Sequence, residues 1–389
     1  MWEVAPAARA GRADGENQQP NAQVDLTMHL LAAFAGLVLV FVVLRDAFET
    51  IVLPRRVSGR LRVSKLFYRI TWQPVAAIGR RMPAGDRRES YLGTYGPISL
   101  LVLIGLWGAI LITGFGLLLW ATGFDFATPI TALYVSGWTF TTLGIGDFAP
   151  KTDAARLVTV VEAGMGFAFL AVVISYLPVL YQGFSRRETT ISMLDEWAGS
   201  PPSAGDLLRR ATSAGEVKEL VSLMATWEQW TAELLESHLS YQVLCYFRSQ
   251  HENQSWVAAL TAILDFSALW QASKATGRTW QARRVYAMGR HALGDLSQVL
   301  RASPKFDVPD RLSEPELAAI LEVLAGAGVD VDEGFRDRLK KLRKGYEPYA
   351  AALADELLMD LPPWMPLKPR QDNWETTAWE GAAPGESLH

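Results

Sequence analysis

The chain has little of what most catalytic and cofactor chemistry requires. It has one cysteine, Cys245, in 389 residues, which excludes an intrachain disulfide and a cysteine-based metal cluster. That residue reads as a small core side chain. Histidines are few, and His238, His251 and His291 are scattered rather than set at metal-ligand spacing. In the C-terminal half the one Gly-x-Gly, Gly326-Ala-Gly328, follows a helix-like stretch instead of a strand and lacks a third glycine. With no phosphate loop, zinc spacing or nucleophile elbow either, nothing indicates an enzyme, a cofactor or a nucleotide-binding domain. Strand signals are nearly absent. Net charge is only −4, which argues against a nucleic-acid partner.

Uncharged apolar runs, by contrast, are plentiful. Half of the residues are apolar. Leu30–Leu44 is built almost wholly of Leu, Val, Ala and Phe, and Thr27, Met28 and the stretch 47–53 can extend it to a bilayer's thickness. No basic n-region or small-residue cleavage site frames it as a signal peptide. Pro97–Ala121 has no charge, and Ala154–Tyr181 confines Arg156 and Glu162 to its first turns. Runs this long that are apolar on every face read as membrane spans. Residues 1–25 have no apolar periodicity and read as a disordered extracytoplasmic leader, with Met28 a second candidate start.

Charge sets the direction of these spans. Residues 54–95 hold ten Lys/Arg against Asp86 and Glu89, whereas 1–27 and 122–153 hold two and one. The positive-inside rule puts 54–95 in the cytoplasm, the N-terminus and 122–153 outside, and, after Arg186-Arg187, residues 185–389 inside. Within the basic loop Val63, Leu66, Phe67 and Ile70 share one helical face, and Arg62, Lys65 and Arg69 another. This is the pattern of a helix lying on the inner leaflet, with anionic lipid against 60–70. No span has Lys or Arg at every third position, so none is a voltage sensor. The first offers only Arg45, with Glu49 one turn on, and reads as peripheral. Its inner-end cluster Arg45, Asp46 and Glu49 either contacts another part of the chain or is a solvated helix end.

Between the second and third spans Thr128 can cap a short helix beginning at Pro129, with Leu133, Tyr134 and Trp138 on its apolar side. Re-entering from outside, such a helix aims its negative dipole end at the membrane centre, which favours a cation there. Thr142-Leu143-Gly144-Ile145-Gly146 follows. Alternating glycines let successive carbonyls turn toward one axis, where they can replace the water shell of K⁺. Thr139-Phe-Thr-Thr-Leu-Gly-Ile-Gly-Asp147 resembles the T-x-T-T-V-G-Y-G-D signature of the potassium-channel pore-loop family, and the likeness extends from about Pro97 to Tyr181.

That resemblance implies an outer helix, pore helix, filter and inner helix, and a homotetramer around one filter. It implies K⁺, the transported ion, held by the carbonyls of Thr142, Leu143, Gly144 and Ile145. Tyr134 and Trp138 would pack behind the filter with Thr141, and either could bond Asp147. Gly166, nineteen residues after Asp147, stands where such channels often have a hinge; close helix packing is its other reading. Gly164 also interrupts the inner helix, and Pro178 can kink it where four chains converge. Glu162, ionisable within a span, either bonds groups behind the filter or faces the outer cavity. Two departures, Leu143 for Val and Ile145 for an aromatic, leave the outer filter without a hydroxyl brace.

Residues 185–389 carry 22 Lys/Arg and 29 Asp/Glu and read as helical. Val217, Leu220, Val221, Met224, Trp227 and Leu234 form one stripe. Trp256–Trp270 is apolar but short and holds Asp265, so a core helix fits better than a fourth span. Further helices are expected at 278–302, 313–326, 331–345 and 346–361. The expectation is an all-α multi-pass protein of the cell membrane. Its parts are a first span at 26–53, a linker at 54–95, a pore domain at 96–182, a cytoplasmic helical domain at 183–361 that takes the gating signal from an unidentified ligand or partner, and a loose tail at 362–389.

Overall fold

The computed structural model describes residues 19–52, 62–122, 128–213, 219–251, 253–273, 279–329 and 331–368. Residues 1–18 of the expected leader, Arg55, Arg56, Arg60, Val217 and the tail beyond 368 lie outside them. Among the described residues every element is helical. In chain order they are α1 (Gln19–Ala47), a π-helical turn (Phe48–Val52), α2 (Val63–Arg81), α3 (Asp86–Ala121), α4 (Pro129–Phe140) and α5 (Asp153–Ala198). Then come α6 (Ala204–Ser213), α7 (Glu219–Ser240), a 3₁₀ turn (Gln242–Tyr246), α8 (Trp256–Ala272), α9 (Thr279–Leu300), α10 (Glu314–Gly326), α11 (Phe335–Arg343) and α12 (Glu347–Leu357). Leu26–Ile51, Asp86–Ala121 and Asp153–Ala198 are long and apolar enough to cross a membrane.

The helices overrun the expected spans. α1 begins at Gln19, inside the stretch read as leader. α3 begins at Asp86, not Pro97, because Asp86 and Glu89 suit the positive end of a helix, so Pro97 becomes an interior residue. α5 runs through Pro178 to Ala198.

The chain divides into two compact units. One comprises Met1–Phe48 and Leu103–Ser175. In it α1 is fixed along α3 at three levels. The His29 and Trp120 rings lie 5.0 Å apart. Gly36 and Gly114 let the backbones meet, since a Cβ on Gly36 would come within 2.6 Å of the Gly114 carbonyl. Trp107 Nε1 donates to buried Asp46 Oδ2 at 3.0 Å, so Asp46 is no solvated helix end. A helix held this way fits the reading that α1 is not a moving sensor.

The other unit comprises Glu49–Val102 and Tyr176–His389. Its centre is α8, whose residues are buried on every face except at Gln271. Ser255 caps α8, and Ser313 with Glu316 forms a reciprocal capping box on α10. The helices expected at 278–302, 313–326, 331–345 and 346–361 correspond to α9, α10, α11 and α12. α6 went unforeseen. α2 buries Ser64, Tyr68, Trp72, Ala76 and Gly79, a face other than the Leu66–Ile70 side, which stays exposed.

Candidate functional site

The pore-loop sequence folds as α4 followed by an extended run. Thr128 Oγ1 accepts from Thr131 N, and Pro129 takes the first turn, where its missing N–H costs nothing. At the other end the chain turns back on the helix: Thr142 N donates to Thr139 O at 3.0 Å, and Leu143 N to Trp138 O at 2.9 Å. The last helical carbonyls are thereby occupied, and the chain emerges from the negative end of the helix dipole.

Beyond that point the backbone changes hand at every second residue. Thr142, Gly144 and Gly146 have φ of 58°, 63° and 77°, while Leu143 and Ile145 lie outside the positive region. Glycine adopts such values freely, and Thr142 holds one despite its side chain. This alternation turns successive carbonyls toward one side. Among the described residues no hydrogen bond is accepted by the carbonyls of Thr142, Leu143, Gly144 or Ile145, and residues 141–146 are exposed in the single chain. A row of unclaimed carbonyl oxygens is a ligand set for a hard, dehydrated cation.

Around this row the expected residues take distinct places. Of the two candidate partners for Asp147, Tyr134 donates its hydroxyl at 3.1 Å. Trp138 instead packs with Phe148 on the cluster of Leu119, Val135 and Ala155, and its Nε1 has no protein partner. Thr141 Oγ1 donates to Gly137 O at 2.8 Å. Glu162 is wholly buried behind α4, where Ser136 Oγ donates to its Oε1. Ser136 Oγ also lies 2.7 Å from the carbonyl of Ile112 on α3, so one hydroxyl joins three helices. A serine has one hydrogen, and it faces two acceptors here. Both bonds form together only when the carboxyl carries its own proton.

Gly166 is not in open helix. A Cβ on it would overlap the carbonyl of Phe140, at the end of α4 just before the filter, whereas Gly164 has nothing within 4 Å. Close packing is thus what the position requires, against the pore helix rather than a lipid-facing neighbour. Pro178 is exposed on α5. Reading the sequence missed Ser136, Ile112 and Phe140. The usable signal was a lone serine and a lone glutamate on two apolar helices, each needing a polar partner.

Similarity was found to an uncharacterized membrane protein, YdjJ, of Bacillus subtilis (strain 168), 24% identical over 200 residues. The matched region covers 48% of this chain and 56% of that protein, so the chain spans little more than half of its relative's length. No solved structure matches. Residues 99–182, from within α3 to within α5, match the model of a family described as ion channel.

Proposed function

We propose that the chain is one subunit of a homotetrameric, K⁺-selective channel with its filter at Thr142–Gly146. The observation that carries this reading is the row of unclaimed carbonyls at Thr142–Ile145, produced by alternating backbone hand directly after α4. One row supplies a quarter of a cage, and four around an axis replace a hydration shell. The exposure of Leu157, Val160, Phe167, Leu170 and Ile174 along α5 supports assembly, since the inner helix is the least covered of the three candidate spans.

The same reading places the protein in the cell membrane with its N-terminus outside and the α6–α12 bundle in the cytoplasm, in accord with the basic stretch 54–95. α2 then lies between bundle and bilayer. Leu66, Ile70 and Ile78 are its exposed apolar residues, with Lys65 and Arg69 among them to meet anionic headgroups. The protein acts as a passive conduit, not an enzyme, gated through its cytoplasmic helices.

The test is flux into liposomes containing the purified protein, under opposed K⁺ and Na⁺ gradients. K⁺ flux that Gly144→Ala abolishes supports the proposal, and no flux of either ion overturns it. Equal flux of both ions supports a second reading, a weakly selective cation channel. That alternative rests on Ile145, half-exposed and without a hydroxyl to brace the outer filter.

A further inference from the structure

The cytoplasmic unit contains one short segment that touches every helix leading to a candidate span at 86–121 or 153–198, as well as α2. It is the 3₁₀ turn Gln242–Tyr246 with Phe247 and Arg248. Tyr246 stacks on Tyr68 of α2 at 5.5 Å and 10°, and meets Trp72 at 5.1 Å and Tyr95 of α3 at 5.4 Å. Phe247 sits against Gly96 of α3, where a Cβ would come within 2.7 Å of its ring, and against Phe184 of α5 at 5.6 Å. Arg248 Nη1 donates to Glu89 of α3 at 3.1 Å and its Nη2 to the carbonyl of Leu357, the last residue of α12, at 2.5 Å.

Beside the Phe184 contact, one side chain of α5 is hydrogen-bonded to this segment. Arg187 is 3% exposed. Its Nη1 donates to Leu244 O at 3.0 Å, its Nη2 to Phe247 O at 2.9 Å and its Nε to Glu188 at 2.8 Å. Nη1 also lies 3.1 Å from Nε2 of His238 on α7. The other ring nitrogen settles which partner gives the hydrogen. His238 Nδ1 is 2.9 Å from the Leu234 carbonyl, which can only accept, so Nδ1 carries the proton and Nε2 accepts from Arg187. Burial, and the guanidinium alongside, hold this imidazole well below its usual range, which keeps it an acceptor.

Arg187 and Gly166 belong to the same helix, α5. Gly166 abuts Phe140 beside the filter, and Arg187 is forked onto the cytoplasmic segment. We propose that Arg187 is the coupling residue of the channel, a positioning residue through which rearrangement of the α7–α8 region acts on α5 and so on the pore. This rests on the channel reading and names how its gate is reached. The fork is specific to arginine, since no single ammonium reaches His238, Leu244 and Phe247 together.

The experiment is single-channel recording of the full-length protein in planar bilayers, comparing Arg187→Lys, Arg187→Ala, His238→Leu and His238→Gln with the parent. Allosteric couplings are typically about 5- to 150-fold, so Arg187→Lys, Arg187→Ala and His238→Leu are expected to shift open probability roughly tenfold. Unitary conductance and the K⁺/Na⁺ reversal potential should not move, which separates coupling from damage to the pore. His238→Gln keeps one donor and one acceptor and should return gating toward the parent. Arg186→Ala, an exposed neighbour, is the charge control and should leave gating unchanged. Should Arg187→Ala fail to assemble, Arg187→Lys and His238→Leu decide. If both keep the parent's open probability, the coupling role is overturned while the channel reading stands. A parent that passes no K⁺ overturns both.

Discussion

Two carboxyl groups with no exposed surface, Glu162 and Asp265, have been given different company. In the pore unit Glu162 meets only the Ser136 hydroxyl, and its second oxygen has no protein partner. In the cytoplasmic unit Asp265 on α8 accepts from Arg311 at 2.5 Å and from the Tyr346 hydroxyl. Arg311 in turn lies 3.7 Å from Glu347 and over the Trp364 ring. The two units solve the burial of charge differently. The unit of Met1–Phe48 and Leu103–Ser175 meets its buried glutamate with a hydroxyl; in the channel proposed above, few full charges there would compete with an ion in transit. The unit of Glu49–Val102 and Tyr176–His389 meets its buried aspartate with an ion pair, which costs desolvation and makes removal of either partner strongly destabilising.

If that contrast is right, overpacking should destroy conduction in one unit while charge removal should unfold the other. The largest effect is expected from Gly166→Ala. Its new methyl meets backbone, not a flexible side-chain end, so α4 or α5 must shift. Overpacking costs about 1–3 kcal/mol per site, and four subunits share one filter, so K⁺ flux should fall at least roughly 100-fold. The helical circular-dichroism spectrum should be retained. Normal flux would mean that Phe140 yields and that the position is a hinge after all.

Next is Asp265→Asn. Removing one partner of a buried pair strands the other, here Arg311 with only the more distant Glu347, and the expected loss is about 3 kcal/mol of unfolding free energy. Urea titration of the detergent-solubilised protein measures it. The K⁺/Na⁺ flux ratio of the folded fraction should be unchanged, because nothing in the filter depends on Asp265.

Third is the pair Glu162→Gln and Glu162→Ala. A glutamine amide can donate to Ser136 Oγ, freeing the serine hydrogen for Ile112 O, so Glu162→Gln should conduct within about threefold of the parent. Alanine leaves Ser136 short of a partner and opens a cavity, and should cost roughly tenfold in flux. If Gln proves as harmful as Ala, the pore unit needs an ionised carboxylate here, and the contrast with Asp265 narrows.

What could be read in the chain beforehand follows the same division. The nine residues Thr139–Asp147 are contiguous and their conformation is local, so the alternating backbone at Thr142, Gly144 and Gly146 was legible directly. The spans were legible from hydropathy, and α8 was separable from a span by its length and by Asp265. Partners far apart in sequence were not. Arg187 finds His238 across 51 positions and Arg311 finds Asp265 across 46, and no periodicity encodes either pairing. α2 shows a subtler limit. Its Leu66–Ile70 side was recognised, but nothing in the sequence singled out Tyr68 and Trp72, which pack against Tyr246 on its other face.

The smallest expected effect tests whether the outer filter of the pore unit relies on side chains at all. Tyr134 is exposed in the single chain and makes one bond, to Asp147, while Ile145 has no hydroxyl to help. Tyr134→Phe deletes that bond and keeps the ring, and a single solvent-accessible hydrogen bond contributes little, so about a two- to fivefold shortening of open dwell times is expected. Selectivity should survive, because in the proposed channel the ion would be held by carbonyls whose positions are fixed by φ at Thr142, Gly144 and Gly146 and by the Leu143 N–H on Trp138. Asp147→Ala, which removes the acceptor, should give the same shortening, and the double variant no more than either alone, since both remove one interaction. A K⁺/Na⁺ ratio that collapses in Tyr134→Phe would show the opposite: with Ile145 in place of an aromatic, this one hydroxyl would be the brace the filter depends on, and the backbone alone would not hold it.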